Sequence, residues 1–231
     1  MINILNNIVL LYLKEHYYMY IVCVLGNHDY YLIGPEAATK YIDSFKRVEE
    51  MRNLINKEQN MYCLNGDFVQ INGIVFAGFD SWYNEGYLER QYPMESFPPY
   101  STNQIWSQFM NDADYIYGIT NYDDIWKIEK SKIETVYEQC DVMITHVNPS
   151  CKDEHINIKY RNNPSNIFFS FEGEKYRKCG NMKYWIFGHT HEELEYKEFG
   201  VKCLCNPLGY PGEREDGVNI KSFKIDFKSI K

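Results

Sequence analysis

Hydrophobic positions change period several times along the chain. Residues 3–17 carry apolar side chains at helical spacing, and Tyr20–Leu25 follows as an unbroken apolar run. This predicts an amphipathic helix feeding a strand buried on both faces. After Pro35, the residues Ala38, Tyr41, Ile42, Phe45, Val48, Met51 and Ile55 recur three or four apart, the pattern of one long helix with a core-facing side. Met61–Leu64, Phe68–Ile71 and Ile74–Phe79 read as short strands separated by Asn65-Gly66 and Asn72-Gly73, dipeptides that favour hairpin turns. Helical spacing returns over Asp123–Gln139, whereas Val142–Thr145, Tyr184–Phe187, Glu198–Cys205 and Ser222–Phe227 read as strands. Strands alternating with helices, some of them in hairpins, indicate an α/β fold with a mixed sheet.

Between residues 85 and 122 the periodicity breaks. Pro93, Pro98, Pro99 and many Tyr and Asn residues surround one short helical piece near Gln104–Met110. A loop-rich insertion of this length is expected to be functional or disordered, with a substrate-selecting cap and a partner-binding surface as the two functional readings. The 231 residues contain no linker-like stretch, which predicts a single domain over 1–231. A formal charge of −8 disfavours long nucleic acids and anionic membranes as partners. Lys14, Glu15 and His16 interrupt the first apolar stretch, so neither a membrane span nor a signal peptide is expected there. Seven cysteines without an export signal point to a reducing cytoplasm with unpaired thiols.

The chemistry gathers at strand ends. Of six histidines, four directly follow strand-like runs. The strings are Gly26-Asn27-His28-Asp29 after Val24-Leu25, Thr145-His146 after Met143-Ile144, and Gly188-His189-Thr190-His191 after Ile186-Phe187. Loops beyond strand ends are where open α/β sheets place ligands, and a preceding glycine allows a sharp turn and close backbone approach. Neutral imidazoles with an Asn carbonyl suit a borderline divalent ion such as Mn, Fe or Zn.

Together, in this order, the strings resemble the G-N-H-[DE], strand-end His and G-H-x-H motifs of the calcineurin-like metallophosphoesterases. Asn206-Pro207-Leu208-Gly209-Tyr210-Pro211 is similar to a segment that often follows them. The resemblance runs from about Tyr20 to Pro211. It implies a four-layer αββα sandwich and divalent-metal-dependent hydrolysis of a phosphomonoester or phosphodiester, with a small phosphorylated molecule or nucleotide as substrate. It also implies residue roles. Asn27, His146 and His189 would bind one metal and His191 a second. His28 would bind the phosphate and protonate the leaving oxygen, and Asp29 would hold its imidazole.

One departure matters. The D-x-H and G-D-x-x-D motifs that open the family's pattern have no counterpart. No Asp precedes Tyr20, and Gly66-Asp67 is followed by Phe68-Val69-Gln70. The chain therefore offers three ligands to one metal and one to the other, and three neutral donors leave a divalent charge uncompensated. Met1 is expected to be an internal methionine of a longer protein. The other readings are an inactive remnant that acts as a binding module, and a structural zinc site made by His189 and His191 with Cys203 and Cys205. His16 and His155 match no motif and are expected at the surface. Trp82, beside Asp80 and Tyr83, is expected in the core.

Overall fold

The short apolar runs assemble into two sheets. A computed structural model of the chain describes residues 2–91, 101–156, 158, 161, 163–210, 213 and 221–225. Helix α1 (Ile2–His16) leads into strand β1 (Ile21–Cys23), which pairs in parallel with β2 (Met61–Cys63). β1 is shorter than the expected Tyr20–Leu25 and only half-buried, because among the described residues β2 is its one neighbour.

The larger sheet holds β3 (Asp67–Ile71), β4 (Ile74–Gly78), β5 (Val142–Ile144), β6 (Tyr184–Phe187), β7 (Leu194–Glu198) and β8 (Val201–Cys205), in the order β3-β4-β5-β6-β8-β7. β4, β5, β6 and β8 run parallel, and β3 and β7 close the edges as antiparallel hairpin partners. The sheets pack against each other at Gly78, where a Cβ would meet Val24 Cγ1 at 2.9 Å and Leu64 Cβ at 3.3 Å. Helix α4 (Ser44–Asn56) buries Val48, Met51 and Ile55 as it packs on β2, and α8 (Asp124–Val136) buries Ile125 and Ile133 as it packs on β3 and β4. The layers are therefore helix, small sheet, large sheet and helix, the expected four-layer α/β arrangement.

Four local expectations are corrected. The helix expected from Pro35 to Ile55 is two, α3 (Pro35–Lys40) and α4. The first ends at Tyr41, the Asp43 carboxylate caps the second by accepting from Lys46 N–H at 2.9 Å, and Ile42 is left 87% exposed at the break. Asn72-Gly73 makes the predicted hairpin, both residues in the left-handed region at φ 51° and 86°. Asn65-Gly66 instead carries the chain from the small sheet to the large one. Glu198–Cys205 is not one strand. Phe199 (φ 52°) and Gly200 (φ 83°) turn β7 back as β8. Residues 222–225 form no strand, and 226–227 lie outside the described residues.

The described part of the insertion, 85–91 and 101–122, is more ordered than its composition suggests. α2 (Asn27–Tyr30) precedes it in the chain, and it contributes α5 (Gly86–Gln91), α6 (Thr102–Phe109) and α7 (Asp112–Tyr115). Ser101 and Gln104 form a reciprocal cap on α6, and Ile105, Trp106, Ile116 and Tyr122 enter the common core. Pro93, Pro98 and Pro99 lie outside the described residues. No two cysteines are disulfide-bonded. No described helix is long and apolar enough to cross a membrane.

Candidate metal centre

Three loops after β1, β5 and β6 meet where the two sheets adjoin. Gly26 bends the chain out of β1 so that Asn27 opens α2. Only glycine fits at this bend, since a Cβ there would lie 2.6 Å from the His146 ring. Asp29 closes the turn by accepting from Gly26 N–H at 2.8 Å. The His146 loop is pinned on both sides. Its N–H donates to Asp80 O at 3.1 Å, and its carbonyl accepts from Gly188 N–H at 2.9 Å. His189 and His191 adopt φ of 67° and 54°, strained for non-glycine residues by about 1–3 kcal/mol each. Asp80 braces the floor. Its buried carboxylate accepts from Leu25 N–H and Tyr30 Oη, both at 2.8 Å, and from Arg52 Nη2 at 2.6 Å.

At the centre, His146 Nε2 lies 2.9 Å from Asn27 Oδ1 and 3.1 Å from His189 Nδ1. The protons can be assigned from the partners. His189 Nε2 faces the Phe168 carbonyl at 2.9 Å and must donate, so its Nδ1 is a lone pair. Asn27 Oδ1 can only accept. The one proton shared by the three atoms is therefore on His146 Nε2. Burial holds the His146 imidazole well below the usual histidine range, and burial also lowers His189, against the opposing charge of Asp112. Near neutral pH the cluster presents two neutral imidazoles and an amide oxygen around a single proton. Such a donor set fits one divalent cation in that proton's place.

The outer half of the site is built differently. His28 is exposed, with Nε2 3.1 Å from Tyr210 Oη and its ring stacked on Tyr31 at 4.7 Å. Burial lowers its pKa, opposed by Asp112 and reinforced by His191. His191 turns to Glu213, Nδ1 to Oε2 at 3.2 Å, and packs edge-on against Tyr210 at 4.4 Å. No group of three or more His, Cys, Asp or Glu stands together in metal-holding fashion among the described residues. The arrangement therefore fits one cation at Asn27, His146 and His189, and among the described residues His191 has no partners for a second. Both halves open on a pocket of about 320 Å³, within the usual ligand-site range. Asn111, Asn148, Asn163 and Asn166 line it with Phe109 and Phe169, and no Lys or Arg is among its described lining residues.

Asn27, His28, His146, His189 and His191 all reach this pocket or its floor, whereas Asp29 is placed in the turn beneath it. The zinc alternative is not supported. Both His189 nitrogens face His146 and Phe168, His191 faces Glu213, and the buried Cys205 thiol lies 3.4 Å from Thr190 Oγ1. His155 is not at the surface. It is buried, stacked on Tyr196 at 3.7 Å with Nδ1 2.7 Å from Ser150 Oγ. Trp82 is in the core, as expected, with Nε1 donating to Tyr122 O at 3.0 Å. Sequence reading missed Asp112, which accepts from Asn27 Nδ2, Tyr31 Oη and Tyr83 Oη at 2.8, 2.5 and 2.8 Å. No motif or period marks this residue. Pro211, last of the Asn206–Tyr210 segment's motif, lies outside the described residues.

The sequence model of the calcineurin-like phosphoesterase family matches residues 4–193 of the chain. An uncharacterized protein of Acanthamoeba polyphaga mimivirus is 25% identical over 211 residues, covering 84% of this chain and 69% of its own. Among solved structures, the phosphopantetheinyl hydrolase of Mycobacterium tuberculosis superposes with a TM-score of 0.64 at 12% identity, over 86% of this chain and 72% of that one. That likeness is one of fold.

Proposed function

Because this chain belongs to the calcineurin-like phosphoesterase family, we propose that it hydrolyses phosphomonoesters or phosphodiesters of small molecules with a divalent ion held by Asn27, His146 and His189. The observation that carries the reading is the meeting of Asn27 Oδ1, His146 Nε2 and His189 Nδ1 around one proton. Mn, Fe and Zn are the ions that suit two imidazoles and an amide oxygen. When bound, the ion supplies Lewis-acid polarisation of a phosphoryl oxygen and acidifies water.

The chain's own groups do the rest. His28, exposed at the pocket mouth beside Tyr210, is placed to hold the phosphate and protonate the leaving oxygen. Asp29 positions His28 through the turn that it closes at Gly26. His191, turned to Glu213, is read as a contact for the substrate and not as a ligand of a second ion. The organic part of the substrate lies among the Asn and Phe side chains of the pocket, where uncharged hydrogen-bonding groups find partners and, among the described lining residues, extra phosphates find no Lys or Arg. Phosphopantetheine, named for the Mycobacterium tuberculosis hydrolase, is one molecule of that description. A reducing compartment such as the cytoplasm is the proposed setting, on the strength of seven thiols with no disulfide.

Hydrolysis of p-nitrophenyl phosphate and bis(p-nitrophenyl) phosphate with Mn²⁺ tests this. The expected result is Mn²⁺-dependent turnover that disappears in His146→Ala. In His28→Ala turnover should fall while Mn²⁺ binding persists. Turnover no greater than that of Mn²⁺ in buffer would refute it.

A further inference from the structure

An amide side chain has nearly the same shape in either orientation, so its neighbours decide which end faces the centre. Asn27 is useful there only with its oxygen toward His146. Its Nδ2 points the other way, donating to Asp112 Oδ1 at 2.8 Å and contacting Tyr31 Oη at 3.1 Å. Turning the amide over would set its oxygen against the Asp112 carboxylate and aim two N–H donors at an imidazole that already carries a proton. Asp112 therefore fixes the polarity of Asn27.

The carboxylate is itself held in place. It is fully buried and accepts from Tyr31 Oη and Tyr83 Oη, and Tyr83 Oη in turn accepts from Trp106 Nε1 at 2.7 Å. Burial, together with the Asp112 charge, raises both phenols far above the ordinary tyrosine range, so each remains a donor. The hydrogen bonds run in one sense: Trp106 on α6 to Tyr83, Tyr83 to Asp112, with Asn27 donating into the same carboxylate from the opposite side. Trp106 and Asp112 both belong to the 85–122 insertion, and Asn27 belongs to the strand-end motif.

We propose that Asp112 is a positioning residue, supplied by the insertion, that orients the Asn27 amide and places one negative charge behind an otherwise neutral donor set. The metal part of this inference rests on the function proposed above; the orientation of Asn27 does not.

Two measurements keep these apart. In metal-free protein, the Asn27 side-chain amide is followed by ¹⁵N–¹H NMR. Asp112→Asn is expected to move its resonances and speed their exchange with solvent, while unchanged shift and exchange would overturn the proposal. Calorimetric titration with Mn²⁺ then reads the consequence, an affinity about 10–100-fold weaker in Asp112→Asn. The exchanged pair Asn27→Asp/Asp112→Asn restores a carboxylate–amide bond in the opposite sense and is expected to regain Mn²⁺ affinity to within about threefold of the parent. A merely structural Asp112 would not be rescued in this way, and failure of the exchanged pair to recover, when it folds, would overturn the positioning role. If Asp112→Asn does not fold, Tyr83→Phe, which loosens Asp112 without touching Asn27, carries the same two readouts, and the exchanged pair carries the Mn²⁺ titration alone. A parent protein that binds no Mn²⁺, yet shows the NMR change, would sink the metal reading and leave the positioning role standing.

Discussion

The two halves of the site are made of similar residues and built in opposite ways. The inner half sits at the ends of sheet strands with Asn27 and His189 buried and His146 half-buried, and each polar atom facing it has a partner fixed by backbone or by Asp112. The outer half, His28 on the short helix α2 and His191 on a loop, stands beside the buried Tyr31, and the groups that face its imidazole nitrogens, Tyr210 and Glu213, are exposed. Preorganised donors lose little freedom when they bind a cation, whereas exposed imidazoles must first be ordered. In the function proposed above, the inner half is therefore the prebuilt cation site and the outer half a contact surface for substrate.

The comparison can be broken most sharply at His146. His146→Ala is expected to abolish both Mn²⁺ binding and turnover, and retention of either would show that the inner half is not the cation site. Next in size is Gly26→Ala, which drives a methyl into the His146 ring. Stability is expected to drop by about 1–3 kcal/mol in urea unfolding, with Mn²⁺ affinity falling alongside.

A pH-dependent effect of comparable upper size lies beneath the inner half. Glu129 accepts from Ser81 N–H at 2.9 Å, and Ser81 Oγ accepts from Val147 N–H, next to His146. Burial, reinforced by the charge of Asp80, pushes the Glu129 carboxyl up to about 7 from an ordinary 4.5. Between those values the folded state keeps a proton that the unfolded state releases, so stability falls as pH rises through this window, by up to about 3 kcal/mol. The buried imidazoles act in the opposite sense. With folded pKa values below 6.5, they remove stability as pH falls. Comparing Glu129→Gln with the parent by urea unfolding from pH 4.5 to 7.5 separates the two. The parent should lose stability relative to the variant as the pH rises, and parallel curves would contradict the assignment. Smallest is His191→Ala, expected to change stability by less than about 0.5 kcal/mol and to leave Mn²⁺ affinity unaltered. A loss as large as that of His146→Ala would erase the contrast between the halves.

The inner half was legible in the sequence because each of its residues follows a run whose periodicity marks a strand, and strand ends of an α/β sheet converge. The long helices were legible for the same reason, except where one side chain, Asp43, capped a new helix inside a continuing apolar pattern. Asn65-Gly66 and Asn72-Gly73 look alike, yet one crosses between sheets and the other makes a hairpin, a choice set by tertiary pairing. Asp112 was not legible at all. It lies 85 residues from Asn27, in a segment with no usable period, and its role exists only once Tyr31 and Tyr83 stand beside it. His155 was misjudged because its stacking partner, Tyr196, is also remote in sequence.

The claim that one half is prebuilt for a cation and the other is not is tested most directly by the stoichiometry of Mn²⁺ bound to this 231-residue chain, read by calorimetric titration and elemental analysis of the same sample. One tightly held ion per chain, lost in His189→Ala and kept in His191→Ala, is the predicted result. Two ions of similar affinity, or one that depends on His191 and not on His189, would contradict it.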